Sequence, residues 1–243
     1  MTNYEMLLSI NDKTRANIDS LNSSGKMNDL SKCVAFADDL QLWVSSCDTF
    51  SCLPLVKEAQ SKFVCSVFLC AQGFYKAAIS ALRQCLEHML FSIMLSTNDY
   101  KYRLWKAGQY DMSWTQLMDG ENGVFGLQFI RVYAPDLDES RSIELLTIAK
   151  NVYRECSEYI HGNYEKLIAL SETLEYDERA LDYYMQCFSS IQYLICMALF
   201  IRFRYILENS TIIRRLEPII ADTLGSLPEV QLVFSHEGEE KHE

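Results

Sequence analysis

Apolar residues along this chain recur at three- and four-residue intervals, as in Leu30, Val34, Ala37, Leu40 and Val44, which is the repeat of a helix with one buried face. Read this way, the chain divides into helices. The first is expected over Tyr4 to Leu21, closing at Asn22-Ser23-Ser24-Gly25, and the second over Asn28 to Ser45. Asp48 to Ser51 reads as a linker. Pro54 suits the first turn of a third helix that reaches Gln72 and is broken by Gly73. The segment Tyr75 to Leu95 is apolar nearly all round, so it is expected at the centre. From Ser96 to Asp138 the pattern loosens around Asn98-Asp99, Gly108, Gly120, Gly123 and Pro135, leaving short helices near Tyr102–Lys106, Thr115–Met118 and Phe125–Val132. Asp138 or Ser140 then caps a strong helix to Ile160, stopped by His161-Gly162-Asn163. Tyr164 to Leu174 reads as a short helix or turn, Asp177 to Glu208 as a long helix, and Ile212 to Leu224 as a last piece. The expectation is an all-α, single-domain bundle: N-terminal helices over 1–72 packing on a core over 73–224, followed by a charged C-terminal tail over 225–243.

Composition narrows the function. Hydrophobic residues make up 49% of the 243, enough for a sizeable core, while the 9 glycines and 4 prolines are too few for the many turns of a β fold. The formal net charge of −11 excludes a broad nucleic-acid-coating surface, which needs phosphate-neutralising cations, and disfavours anionic membranes. Any contact with RNA must therefore be local. The 9 cysteines lie mostly inside apolar helical runs, with no CxxC pair and no Cys/His spacing suited to zinc, so they read as reduced core thiols. No metal and no cofactor are expected. Met1 to Glu5 lacks the basic start of a signal peptide, and the apolar run Tyr193 to Ile201 is too short to span a bilayer, so a cytoplasmic protein with no membrane partner is expected.

The candidate chemistry lies in Asn151-Val152-Tyr153-Arg154-Glu155-Cys156-Ser157-Glu158-Tyr159-Ile160-His161-Gly162. Seven helical steps bring Arg154 and His161 within about 20° of each other and about 10 Å apart along one face. Leu145, Ala149, Val152, Cys156 and Ile160 form the buried stripe, and Thr147, Lys150, Asn151, Arg154, Ser157, Glu158 and His161 the opposite face. Gly162 suits a helix C′ position, where the dipole favours a protonated His161; beside an arginine such a histidine can bind a phosphate and protonate a leaving oxygen. An ordinary solvated face ending in a C-terminal histidine has the same spacing. The second segment, Ala77 to Leu90, holds Arg83 and Glu87 four apart on a face shared with Ile79, Leu90 and Met94, which makes them a half-buried ion pair. Arg83 and His88, about 140° apart around the helix, do not share a face.

Taken in order, the two segments resemble the HEPN superfamily (higher eukaryotes and prokaryotes nucleotide-binding), a helical bundle with an Arg-x(4–6)-His motif near the end of one core helix. Arg154-x6-His161 fits that motif, Ala78 to Glu87 is similar to the family's preceding Ala-x-x-x-x-Arg-x-x-x-Glu helix, and Ser157 to Gly162 looks like its Ser-x-Tyr-hydrophobic-His-Gly ending. The resemblance covers Phe74 to Tyr164. It implies a HEPN-like bundle acting as a homodimer and, in its catalytic members, a metal-independent ribonuclease in which the RNA 2′-hydroxyl attacks the adjacent phosphate. Arg154 and His161 would be catalytic, with Asn151, Ser157, Tyr159, Arg83 and Glu87 in support. It further implies an RNA substrate and a partner protein of a bacterial toxin or antiviral defence system. The chain departs from the ribonuclease pattern at Glu155, where those enzymes have Asn, Asp or His. That departure fits the alternative, a non-catalytic HEPN-like interaction or regulatory subunit. An unrelated helical scaffold is the third reading.

Overall fold

The computed structural model describes residues 2–47, 53–111, 113–158 and 174–235. Among these residues there is no strand. The helices are α1 (Asn3–Ser23), α2 (Met27–Ser45), α3 (Leu53–Ala71), α4 (Tyr75–Leu95), α5 (Asp99–Lys106), α6 (Trp114–Leu117), α7 (Leu127–Tyr133), α8 (Ser140–Glu158), α9 (Glu178–Phe203), α10 (Ser210–Leu224) and α11 (Pro228–Ser235), with a 3₁₀ turn over Arg204–Glu208 between α9 and α10. Local chemistry sets several starts. Thr2 and Glu5 form a reciprocal capping box on α1, Asn98 caps α5, Ser113 and Gln116 box α6, and Asp177 and Asn209 cap α9 and α10. Asp138 accepts the Ser140 N–H at 2.7 Å at the head of α8.

The bundle is all-α with one continuous hydrophobic core running from Leu21 to Val230. α4 lies at the centre, as its all-round apolarity predicts, with α3 along most of its length and α9, α8, α6 and α5 around it. It shares that place with α9, whose Leu194 to Ile201 are all buried. A cluster of Phe36, Phe63 and Phe188, with Phe36 edge-on to the other two and ring centroids 5.4–6.0 Å apart, ties α2 and α3 to α9. The 1–72 and 73–224 segments therefore share this core.

Three differences from the sequence reading have physical causes. The short helices α5 and α6 begin earlier than periodicity suggests, because their caps, Asn98 and Ser113, sit upstream of the apolar positions. The expected tail over 225–243 begins as a helix: Val230 of α11 is fully buried, and Glu229 pairs with Arg141 of α8 at 2.8 Å. The span Glu178–Glu208 is long and apolar enough to cross a membrane by length and composition, although its central run alone is not; 67% of its apolar window is buried inside the bundle. No disulfide joins any two of the eight described cysteines, which are buried except Cys65, and burial pushes the Cys33 thiol up to about 12. Residues 48–52, 159–173 and 236–243, which hold the expected Asp48–Ser51 linker, all of the expected Tyr164–Leu174 turn except Leu174, and the end of the tail, lie outside the described residues.

The turn between α3 and α4 is fixed from α1. The amide of buried Asn17 donates to the carbonyls of Gln72, at 3.0 Å, and Leu174, at 2.8 Å. Gly73 sits beside it at φ +85, where a Cβ would overlap the Asn17 amide. Gly108, at φ +68, has open space around it. Gly108→Ala is expected to cost about 1 kcal/mol from backbone strain alone, whereas Gly73→Ala adds the displaced Asn17 amide. The drop in Tm should be at least twice as large for Gly73→Ala; equal drops would show that Asn17 does not hold the turn.

Candidate functional site

α4 and α8 pack side by side, and the two motif-bearing helices meet through polar side chains. The Arg83 guanidinium leaves α4 and donates through Nη1 to Ser157 Oγ of α8 at 3.1 Å. Its Nη2 lies 3.7 Å from Glu87 Oε2, with side-chain exposures of 17% and 27%, so the pair is shielded from water without being dry. Tyr153 of α8 closes the ring: its hydroxyl donates to Glu87 Oε1 at 2.9 Å, and the Arg83 carbon lies 5.0 Å from its ring centroid. Ser157 donates in turn to the Tyr153 carbonyl at 2.7 Å. Trp114 of α6 stacks on Tyr153 at 3.9 Å between centroids, with the ring planes within 9°. Burial raises the Tyr153 hydroxyl above the usual phenol value, and its bond to Glu87 raises it further, so it remains a proton donor.

Of the residues singled out from sequence, Arg83, Glu87 and Ser157 are brought together. Ser157 differs from the helical projection, which places it on the open face of α8; it is half-buried and turned to Arg83. Asn151 and Arg154 are exposed on that open face, together with Thr147 and Lys150. Among the described residues Arg154 has no ion-pair partner. Glu155 is half-buried where Arg154 is exposed. Tyr159 and His161 lie outside the described residues. His88 points elsewhere, as the helical angle predicts: burial lowers its imidazole below the ordinary value, its Nδ1 is buried without a hydrogen bond, and the charges that bear on it include Glu58 and Lys62 of α3.

Tyr153 and Trp114 are site residues that sequence reasoning missed. Tyr153 stands four residues before Ser157, which puts both on the flank of α8 facing Arg83; that spacing was the available signal. Nothing local marks Trp114. A cavity of about 610 Å³ lies between the α7–α8 connection and the 3₁₀ turn, lined by Tyr133, Asp136, Arg204, Tyr205 and Glu208 among others, and it touches none of the expected site residues. Among the described residues no three His, Cys, Asp or Glu side chains converge to hold a metal ion.

No protein-family model, curated protein or solved structure compared with the chain matches it.

The Arg83 cluster makes a direct prediction. Arg83→Ala leaves Glu87 half-buried beside an uncharged partner and should cost about 2 kcal/mol, or roughly 4–8 °C in Tm for a chain of this size. Lys101→Ala, on the surface, should stay within about 0.5 kcal/mol. Arg83→Lys should recover only part of the loss, because an ammonium cannot reach Ser157 and Glu87 with a planar fork. Equal small shifts for Arg83→Ala and Lys101→Ala would place the cluster in solvent.

Proposed function

We propose that the chain is a metal-independent ribonuclease of the HEPN type. Arg154 and His161 act on one RNA phosphate. What supports the reading is the division of α8 into two sides: Arg83, Glu87, Tyr153 and Ser157 brace one flank, and Arg154 stands exposed on another, with no ion-pair partner among the described residues. An arginine held open on a rigid helix can meet a phosphate with little reorganisation. The RNA 2′-oxygen forms a bond to phosphorus, and Arg154 stabilises the charge that builds on the phosphoryl oxygens. The bond to the 5′-oxygen breaks, and protonated His161 supplies the proton that the departing oxygen takes; the 2′-hydroxyl proton leaves to water. The products are a 2′,3′-cyclic phosphate and a 5′-hydroxyl. By the same resemblance the enzyme is a cytoplasmic homodimer whose two Arg154–His161 faces share a cleft, and its setting is a toxin or antiviral defence system with a partner protein.

A specific feature favours a second reading, a non-catalytic HEPN-like interaction or regulatory subunit. Glu155 follows Arg154 directly in a chain of net charge −11, and both repel RNA.

Cleavage of single-stranded and transfer RNA by the purified chain, in EDTA, separates the two. The ribonuclease reading expects cyclic-phosphate ends and a loss of at least about 100-fold for Arg154→Ala and for His161→Ala. Arg154→Ala should melt like the wild type, since the side chain is exposed. Absence of cleavage by the wild type, with any partner protein supplied, favours the interaction subunit. Cleavage that survives His161→Ala removes the site assignment.

A further inference from the structure

The segment from Tyr100 to Lys106, Tyr-Lys-Tyr-Arg-Leu-Trp-Lys, concentrates three cations and three aromatic rings in a strongly acidic chain. It forms most of α5, a helix with no buried residue. Arg103 is already neutralised by Asp99 at 2.7 Å, but Lys101 and Lys106 pair with no carboxylate among the described residues. Instead each ammonium lies over an aromatic face: Lys106 is 5.9 Å from the Tyr102 ring centroid, and Lys101 is 5.6 Å from that of Tyr110, just beyond the helix. Tyr100 is 70% exposed, and Tyr102 and Tyr110 are half-buried. The rings are held from behind: Tyr102 stacks on Trp105, and both Trp105 and Tyr110 pack on Phe91 of α4.

A cavity of about 310 Å³ opens below, lined by Lys101 and Tyr110 on one side and by Thr115, Gln116, Asp119 and Asn122 on the other. The far wall leads to α8. Asp119 feels the charge of Lys150, one turn before Arg154, and Trp114 stacks on Tyr153, the residue preceding Arg154.

We propose that the surface of α5 and Tyr110, with the cavity beneath it, binds single-stranded RNA and leads it toward the Arg154 face of α8; the identity of the polymer rests on the ribonuclease reading. Rigid aromatic faces flanked by mobile ammonium groups suit a flexible strand, because any base can stack on a ring while the lysine that covered it swings to the adjacent phosphate. A duplex, whose bases are already stacked on one another, would gain only the charge contacts. The confined size of the surface agrees with a chain too acidic to coat a nucleic acid broadly.

The test uses the full chain and a fluorescent single strand of about twelve nucleotides, 2′-O-methylated so that the attacking hydroxyl is absent and binding is read without cleavage. Fluorescence anisotropy across a salt series is expected to show binding, tighter for the single strand than for its duplex. In K101E/K106E, affinity should fall at least tenfold at about 50 mM salt, with the slope of log K against log salt reduced by about 1.4 for two lost phosphate contacts. Tyr100→Ala, at an exposed position, should weaken binding several-fold with the salt slope unchanged. No binding by the wild type, equal binding of duplex and single strand, or unchanged affinity in K101E/K106E would each overturn the proposal. Lysine-dependent binding without any cleavage of unmodified RNA would leave this surface standing and remove the ribonuclease reading. Cleavage that is untouched in K101E/K106E would do the reverse.

Discussion

A guanidinium taken out of water needs hydrogen bonds and a counter-charge from the protein, and Arg83 draws a hydrogen bond and a charge from two helices, while its buried Nε has no hydrogen-bond partner among the described residues. Glu87 supplies the charge from its own helix, one turn on, while Ser157 and the face of Tyr153 come from α8. Glu87 in turn needs the Tyr153 hydroxyl. Each member satisfies another, so the group fixes more than the distance between two helices: it fixes the rotation of α8 about its own axis. Apolar packing of Leu145, Ala149, Val152 and Cys156 alone would tolerate a small roll, because hydrophobic contacts are non-directional.

That rotation decides what the outer surface presents. With Ser157 and Tyr153 turned toward α4, Lys150, Asn151 and Arg154 must face outward. Trp114 carries the constraint to the loosely patterned stretch between α4 and α8 by stacking on Tyr153. The aromatic and basic surface of α5 is held separately, through Trp105 and Tyr110 on Phe91 of α4. One half-buried ion pair thus orders the open face of α8 from behind.

Much of the bundle was legible in the sequence, for reasons that can be located. The bounds of α4 are read correctly because its apolar repeat is long and Gly73, at φ +85, stops α3 just before it. The half-burial of Arg83 and Glu87 follows from their shared face with Ile79, Leu90 and Met94. What escaped was tertiary or brief. α11 spans eight residues, too few for a period to emerge, and is held by Val230 and by a salt bridge to Arg141 that no local signal announces. Arg83 and Ser157 are 74 residues apart, so helical projection could place Ser157 on a face but could not foresee the partner that turns it inward. The stacking of Trp114 on Tyr153 is likewise a meeting of remote segments. The Arg154 half of the expected site is seen on its open face; the His161 half lies outside the described residues.

The claim that the Arg83 cluster sets the junction of α4 and α8 is tested most directly by a double-mutant cycle between Arg83→Ala and Tyr153→Phe, read by urea unfolding. Tyr153→Phe keeps the stacked ring and removes only the hydroxyl bonded to Glu87. If the network acts as a unit, the two losses are not additive, and their coupling is about 1 kcal/mol or more. Additive losses, with coupling inside the error of about 0.3–0.5 kcal/mol, would mean that Arg83 and Tyr153 contribute separately and that α8 is oriented by its apolar face alone.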